Sequence, residues 1–172
     1  MLRIFQFTLL LSGLLCFSVG SGNISEARSL KFFHTHTGQS IDVTYYLNGE
    51  YNPFALEDLK VFLADWRDLE QQEVDPQLLD ILWQVQQRTD NDDVFEVISA
   101  YRSSQTNELL RETSTGVAKS SQHVLGKAID VRLRGLETAK LRDTARELKL
   151  GGVGYYATSD FVHIDTGRPR YW

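Results

Sequence analysis

Two short stretches of this sequence hold the residues that most constrain the fold. Residues 120–130 contain His123 and Asp130, and residues 161–165 contain His163. Imidazole and carboxylate groups are typical zinc ligands, and the ligands of one ion converge from separate segments. If these three side chains act together, the chain must fold so that the two stretches meet.

The spacing inside each stretch is compatible with such a site. His123 and Asp130 are seven residues apart, and Gly126 between them permits a close backbone turn. His163 and Asp165 are two residues apart and would share one face of a strand. Two imidazoles and one carboxylate leave a fourth zinc position for water, as in catalytic sites. The same residues could instead be ordinary polar groups at strand ends.

A hydrolytic zinc site needs no protein nucleophile, because zinc lowers the pKa of a bound water to about 7. It does need a base to accept the proton of that water. Asp160, three residues before His163, is one candidate for the base, and Asp165 is the other.

The N-terminus has the composition of a secretory signal peptide over residues 1–20. Arg3 precedes an apolar run, and small residues follow near position 20. A retained membrane anchor is an alternative. Lipidation at Cys16 is another, although leucines precede it where a lipoprotein signal has small residues. A cleaved leader predicts a periplasmic or secreted protein with no stable membrane association.

Cleavage of the leader would limit the residue types that are available for catalysis and metal binding. Cys16 is the only cysteine, so the exported chain would have no disulfide, thiol nucleophile or thiolate ligand. Any metal must therefore be held by His, Asp or Glu. The leader removes one of 18 basic residues and none of the 23 acidic ones, so the net charge falls from −5 to −6. This charge gives no general electrostatic reason to expect nucleic acid binding.

The rest of the chain predicts a flexible lead-in at 21–28 and a single domain at 29–172. Strands are expected at 30–34, 41–46, 94–101, 128–133, 153–156 and 161–165, and helices at 53–69, 76–85, 103–111 and 136–150. This order lacks regular β–α–β alternation, so we predict an α+β fold with a mainly antiparallel central sheet and flanking helices. Residues 112–120 predict a loop bordering the site.

Residues 121–130 resemble the S-x-H-x-x-G-x-A-x-D signature of D-Ala-D-Ala metallopeptidases. That family shares a zinc fold with lysostaphin-type peptidases and Hedgehog domains. Residues 99–103 are similar to its strand-end arginine motif, and residues 161–165 to its final ligand strand. With 151–156 and 167–172 included, the pattern resembles most the murein endopeptidase K branch, over residues 29–172.

The resemblance implies an enzyme that hydrolyses peptide crosslinks of bacterial peptidoglycan, with stem peptides as its partners. It also implies zinc ligation by His123, Asp130 and His163, and a role for Arg102 in orienting substrate or stabilising an oxyanion. The carboxypeptidases and dipeptidases of the family carry glutamate three residues before the last histidine, where this chain has the shorter Asp160.

Several neighbouring residues have a functional and a structural interpretation. Ser121 and Gln122 could hydrogen-bond substrate or only shape the loop. Tyr155 and Tyr156 could be core and strand residues, or one phenol could polarise the scissile carbonyl. Arg102 could form only a surface ion pair, although its guanidinium suits a carboxylate or an oxyanion.

We therefore predict a zinc-dependent murein endopeptidase. One alternative is a D,D-carboxypeptidase or dipeptidase that trims D-Ala ends, and another is a non-catalytic zinc-dependent module that binds the cell wall. His34 and His36 could form a second metal site, but no Asp or Glu lies at a sequence spacing that would clearly make it a third ligand. The sequence contains no G-x-S-x-G elbow, phosphate loop or dinucleotide fingerprint.

Overall fold

A computed structural model describes residues 26–114 and 117–172, so the predicted signal peptide at 1–20 lies outside the described residues. The strands are β1 (Ala27–His34), β2 (Ser40–Leu47), β3 (Glu50–Tyr51), β4 (Phe95–Ser99), β5 (Ala128–Leu133), β6 (Gly152–Tyr156), β7 (Phe161–Asp165) and β8 (Arg170–Tyr171). The helices are α1 (Pro53–Phe62), α2 (Pro76–Thr89), α3 (Ser104–Thr113) and α4 (Thr138–Leu148), with a short 3₁₀ helix at Gln122–Leu125.

All eight strands belong to one sheet in the order β3-β2-β1-β4-β5-β7-β6-β8. Strand β1 pairs with β4, and β6 with β8, in parallel, while the other neighbours are antiparallel. The α+β class is confirmed, but the prediction of a mainly antiparallel sheet is wrong, because the sheet is mixed. The long connection through β3, α1 and α2 brings the chain back beside β1 in the same direction, which a tight hairpin cannot do.

The core lies on the face of the sheet that carries the long helices. Helix α1 packs on β2, α2 on β1, and α4 on β5, β6 and β7. Leu59 and Leu82 are fully buried there with Ile129 and Val131 of β5. Side chains alternate along a strand, so Asp130 between these two residues points to the opposite face. The fold thus separates the hydrophobic core from the face that carries the candidate ligands.

Capping residues define the starts of the first two helices. Asn52 accepts hydrogen bonds from the backbone N–H groups of Phe54 and Ala55, and Asp75 accepts one from Gln77. A proline follows each cap at the first helical position, where its missing N–H costs nothing. Among the described helices, none is both long and apolar enough to cross a membrane.

Helix α1 ends at Phe62, well before the predicted end at residue 69. The carboxylate of Asp65 accepts hydrogen bonds from the backbone N–H groups of Arg67 and Ser103. Such a side chain competes with helical hydrogen bonding and favours a turn. Leu69 consequently adopts a left-handed backbone (φ 65°) and is exposed. The apolar periodicity alone overestimated the length of this helix.

Strand β1 begins at Ala27, inside the segment 21–28 that was predicted to be a flexible lead-in. Arg28 forms an ion pair with Asp80 (Nη1–Oδ1, 2.8 Å). Its guanidinium also lies 4.2 Å from the ring centroid of Tyr46 and 4.9 Å from that of Trp83. These contacts hold the end of the strand in place, which the small and polar composition of the segment did not indicate.

The loop that carries His123 is fixed by a close backbone approach at Gly126. Gly126 follows the 3₁₀ helix in a left-handed conformation (φ 67°), and a side chain there would clash with the carbonyl oxygen of Glu73. The N–H of Asp75 donates to the carbonyl oxygen of Gly126 (2.9 Å). Glycine therefore provides the close turn expected between His123 and Asp130.

Candidate metal centre

Three side chains from three separate elements meet on the face of the sheet opposite the core. His123 lies on the 3₁₀ helix, Asp130 on β5 and His163 on β7, where the last two are paired in register. Asp130 Oδ1 lies 2.9 Å from His163 Nδ1 and 3.3 Å from His123 Nε2, and the two nitrogens are 3.2 Å apart. All three residues are buried, and together they could hold a metal ion.

Hydrogen bonds on the far side of each imidazole determine which nitrogen faces this cluster. His123 Nδ1 lies 2.6 Å from the carbonyl oxygen of Ala100, which can only accept, so Nδ1 carries the proton. His163 Nε2 lies 2.9 Å from Asp165 Oδ2, which accepts its hydrogen bond in the tautomer that carries the proton on Nε2. In that tautomer, both neutral histidines present a lone pair to the carboxylate of Asp130.

This donor set fits a metal cation. Two lone pairs and a carboxylate oxygen lie within 3.3 Å of one another, an arrangement that is repulsive unless a cation lies between them. A proton on His163 can relieve the same repulsion. Burial lowers the pKa of His163, but its hydrogen bonds to Asp130 and Asp165 and the negative charges of these acids outweigh burial and raise the pKa to about 9. The residues present thus suit a divalent ion held by two imidazoles and one carboxylate.

The electrostatics keep the carboxylate of Asp130 ionised. Burial by itself raises its pKa, but the charge and hydrogen bond of His123, together with those of His163, hold the pKa of Asp130 well below its usual range. Because only the charged form coordinates a metal, Asp130 is available as a ligand at neutral pH.

Asp165 lies behind His163, on the side of the ring away from the cluster. It is fully buried and forms a two-pronged ion pair with Arg170 (Nη1–Oδ1, 2.9 Å; Nη2–Oδ2, 2.7 Å). The backbone N–H groups of Gly167 and Gly152 also donate to it. Burial raises the pKa of Asp165, but the hydrogen bonds from His163, Arg170 and Gly167 hold it below its usual range. This arrangement places Asp165 where it can orient the ring of His163, and its predicted role as a base stays untested.

Asp160, the other predicted base, is not brought to the cluster. It lies in the turn between β6 and β7 with a left-handed backbone (φ 52°). Its carboxylate accepts hydrogen bonds from Thr138 Oγ1 (2.7 Å) and Arg132 Nη1 (3.4 Å). The side chain thus faces the start of α4, and Asp160 is not among the described residues that line the cavity beside the cluster.

The cluster lines a cavity of about 250 Å³. Arg102, Ser121, Gln122 and Tyr156 also line it, as expected of groups that contact substrate. Among the described residues that line this cavity, Asp130 supplies the only side-chain carboxylate.

Two of the predicted substrate-binding residues have structural contacts of their own. Ser121 Oγ accepts a hydrogen bond from the backbone N–H of His123 (3.3 Å) and so shapes the loop. Tyr155 does not line the cavity. Its ring packs against the core and lies 4.5 Å from the guanidinium of Arg142, so its observed contacts are those of packing, and its role in binding substrate stays a prediction.

Arg102 presents a positive charge to the cavity without a direct ion pair among the described residues. Its backbone N–H donates to the carbonyl oxygen of His123 (3.3 Å), and its Nη1 donates to Asn107 Oδ1 (3.3 Å). Its buried Nε has no hydrogen-bond partner, and no ion pair joins it to a carboxylate in the described part of the chain. Burial lowers the pKa of Arg102. The surface ion pair considered from sequence is therefore not formed, and the guanidinium remains available for an anionic group.

The family model described as peptidoglycan L,D-endopeptidase MepK matches residues 23–172. The chain belongs to this family. The predicted resemblance to D-Ala-D-Ala metallopeptidases, and to their murein endopeptidase K branch, is thereby confirmed.

Individual members of the MepK family cover most of the chain. The probable peptidoglycan L,D-endopeptidase MepK of Haemophilus influenzae is 38% identical over 148 residues, which is 86% of this chain and 80% of the relative. The peptidoglycan L,D-endopeptidase MepK of Escherichia coli K12 is 39% identical over 145 residues, or 84% of this chain and 80% of the relative. No solved structure matches the chain significantly.

Two aromatic residues for which the sequence predicted no role of their own also lie at this cavity of the MepK-family chain. Phe161 stacks on Tyr156, with ring centroids 4.5 Å apart, and Trp172 lies 5.3 Å from the ring of His163. Phe161 could have been found from strand alternation, because it lies two residues before His163 on the same face. Trp172 could not, because its place depends on the parallel pairing of β8 with β6.

The second possible metal site, at His34 and His36, is not assembled. His34 is buried, and its Nδ1 accepts a hydrogen bond from the backbone N–H of His36 (3.3 Å). The ring of His36 stacks on Trp66 at 4.3 Å. Within 26–114 and 117–172, neither histidine joins a group that could hold a metal.

Proposed function

We propose that this chain is a zinc-dependent murein endopeptidase that hydrolyses peptide crosslinks of peptidoglycan. The observation that carries this proposal is the buried group of His123, Asp130 and His163 at the edge of a cavity, in a member of the MepK family. The relatives from Haemophilus influenzae and Escherichia coli are named L,D-endopeptidases, so we propose L,D-crosslinks as the substrate.

Each residue of the cluster has a separate role in the proposed reaction. A bound zinc ion supplies a Lewis acid and an activated water. His123 and His163 would hold the ion through their lone pairs, and Asp130 would contribute a negative charge to the same site. Asp165 keeps the proton of His163 on Nε2, so Nδ1 stays available to the metal.

Arg102 supplies the positive charge on the substrate side of the cavity. A guanidinium with free N–H groups binds a carboxylate or a developing oxyanion through two parallel hydrogen bonds. Its buried Nε has no partner within the described residues, so a substrate group would satisfy it. Arg102 therefore orients the stem peptide against the metal site.

We also propose that the protein is exported and acts in the periplasm or outside the cell. Residues 1–20 have the composition of a signal peptide, and the match to the family begins at residue 23, just after it. This location is where peptidoglycan is found, and leader cleavage would leave no stable membrane association.

Digestion of purified sacculi tests the proposed activity. The zinc-loaded protein is expected to convert crosslinked muropeptide dimers to monomers, because water attack at the cluster cleaves the bridging amide. Products are separated by chromatography and identified by mass, with chelator-treated protein as the control. Loss of terminal D-Ala alone would indicate a carboxypeptidase. Bound zinc without any product would indicate a non-catalytic binding module.

A further inference from the structure

The phenol of Tyr156 receives a hydrogen bond from the indole of Trp172 at the wall of the cavity. Trp172 Nε1 lies 3.1 Å from Tyr156 Oη, and both side chains line the cavity. An indole nitrogen only donates, so the phenol oxygen must accept this bond. The O–H of Tyr156 has no acceptor among the described residues and is free to donate to a group in the cavity.

The sheet itself holds the indole in this position. Trp172 follows β8, where its N–H donates to the carbonyl oxygen of Val153 (3.3 Å) and its own carbonyl oxygen accepts from the N–H of Tyr155 (3.0 Å). A Cβ atom on Gly154 would lie 2.5 Å from the indole ring, so the ring occupies the space that a side chain would fill. The same ring lies 5.3 Å from that of His163.

The phenol is held from its other side as well. Phe161 stacks on the ring of Tyr156 at 4.5 Å with an interplanar angle of 16°. Tyr156 and Arg102 line the same cavity. The phenol is thus fixed between Phe161 and Trp172, on a cavity wall that it shares with Arg102 and His163.

We propose that Trp172 is a positioning residue that directs the O–H of Tyr156 to the carbonyl oxygen of the scissile amide. This inference rests on the proposed hydrolysis of stem-peptide crosslinks. The carbonyl oxygen gains negative charge as water adds to the amide carbon, so a fixed donor stabilises the transition state more than the substrate. Hydrogen bonds in a chain also polarise one another, so the indole strengthens the phenol as a donor.

Both side chains are accessible from the cavity side. Tyr156 is 37% exposed and Trp172 is 46% exposed, although each carries a large aromatic ring. The polar atoms of the two rings meet in one hydrogen bond at the cavity that the cluster also lines. This placement is what a donor to a bound substrate requires.

The hydrogen bonds from Trp172 to Tyr156 and from Tyr156 to the substrate are called the relay here. A double-mutant cycle on the zinc-loaded protein tests it. Tyr156→Phe removes the donor and is expected to lower kcat by about 100-fold, as for the loss of an oxyanion donor. Trp172→Phe keeps an aromatic ring and is expected to lower kcat by about tenfold, the equivalent of a neutral hydrogen bond. The double variant is expected to be no slower than Tyr156→Phe alone, with KM and zinc content unchanged. Tyr171→Phe, whose hydroxyl bonds the Arg146 carbonyl oxygen, is the matched control and should keep full activity.

Nitrogen-15 NMR of the indole groups tests the hydrogen bond without relying on activity. Trp172→Phe identifies the resonance of Trp172, and Tyr156→Phe is expected to move it upfield. Additive losses of kcat in the cycle, or an indole resonance that does not move, would overturn the relay. Thermal unfolding of each variant excludes misfolding as the cause of a loss in kcat. A wild-type protein that cleaves no crosslink would count against the proposed function, whereas an active wild type with additive losses counts against the relay alone.

Discussion

Replacing His163 with alanine is expected to abolish both metal binding and crosslink cleavage. The substitution removes the Nδ1 lone pair that lies 2.9 Å from Asp130 and leaves only two ligands for the ion. A metal contributes several kcal/mol of transition-state stabilisation, so its loss should lower the rate by about 10³-fold or more. Zinc content by mass spectrometry and product release from sacculi measure the two effects on the same sample.

His36→Ala is the matched control for this substitution, because His36 is exposed and lies outside the cluster. It should retain the zinc content and activity of the wild type. Thermal unfolding of His163→Ala separates loss of the ligand from loss of the fold. Normal cleavage by a folded His163→Ala protein without bound metal would contradict the assignment.

Replacing Asp165 with asparagine is expected to weaken zinc binding by about 10- to 100-fold, the usual effect of removing an acid that orients a metal-ligating histidine. The amide keeps the shape of the side chain but lacks the negative charge that holds the proton of His163 on Nε2. Activity should therefore fall at limiting zinc and recover at saturating zinc. A competition titration with a chelator of known affinity measures the change.

Asp160→Asn provides the matched comparison, because Asp160 was the other acid considered as the base. Its carboxylate bonds Thr138 and Arg132 and does not line the cavity, so this variant should keep wild-type zinc affinity and activity. A large loss of kcat in Asp160→Asn, with no change in Asp165→Asn, would reverse the roles given to the two aspartates.

Local sequence signals predicted the segments that carry the cluster. Strand β5 was placed at its observed bounds, and the alternation of its side chains correctly separated Asp130 from the buried Ile129 and Val131. Glycine at 126 indicated the turn that brings His123 back towards Asp130. These features depend on short-range backbone geometry, which neighbouring residues largely determine.

The roles of the acids near His163 could not be predicted in the same way. Both Asp160 and Asp165 lie within three residues of the histidine, and spacing alone does not reveal which way each carboxylate points. The turn before β7 aims Asp160 at the start of α4, whereas Arg170 from β8 fixes Asp165 behind the ring. Thr138 is 22 residues from Asp160, and Arg170 lies on a separate strand from Asp165, so only the assembled sheet identifies these contacts.

Long-range pairing also explains the other differences from the predicted fold. The parallel pairing of β1 with β4 depends on a connection of about sixty residues, and no local pattern indicates that β4 will run in the same direction as β1. Trp172 reaches the cavity only because β8 adds in parallel to β6. The early end of α1 depends on Asp65, whose partner Ser103 lies in a different segment.

The central claim, that these three residues hold one zinc ion that hydrolyses peptidoglycan, is tested most directly by titrating zinc into metal-stripped protein while following crosslink cleavage. Stripped wild-type protein should release no monomers from sacculi, and the rate should rise with added zinc and saturate at about one ion per chain, as one three-ligand site predicts. Full cleavage by the stripped protein, or saturating zinc binding without cleavage, would contradict the claim.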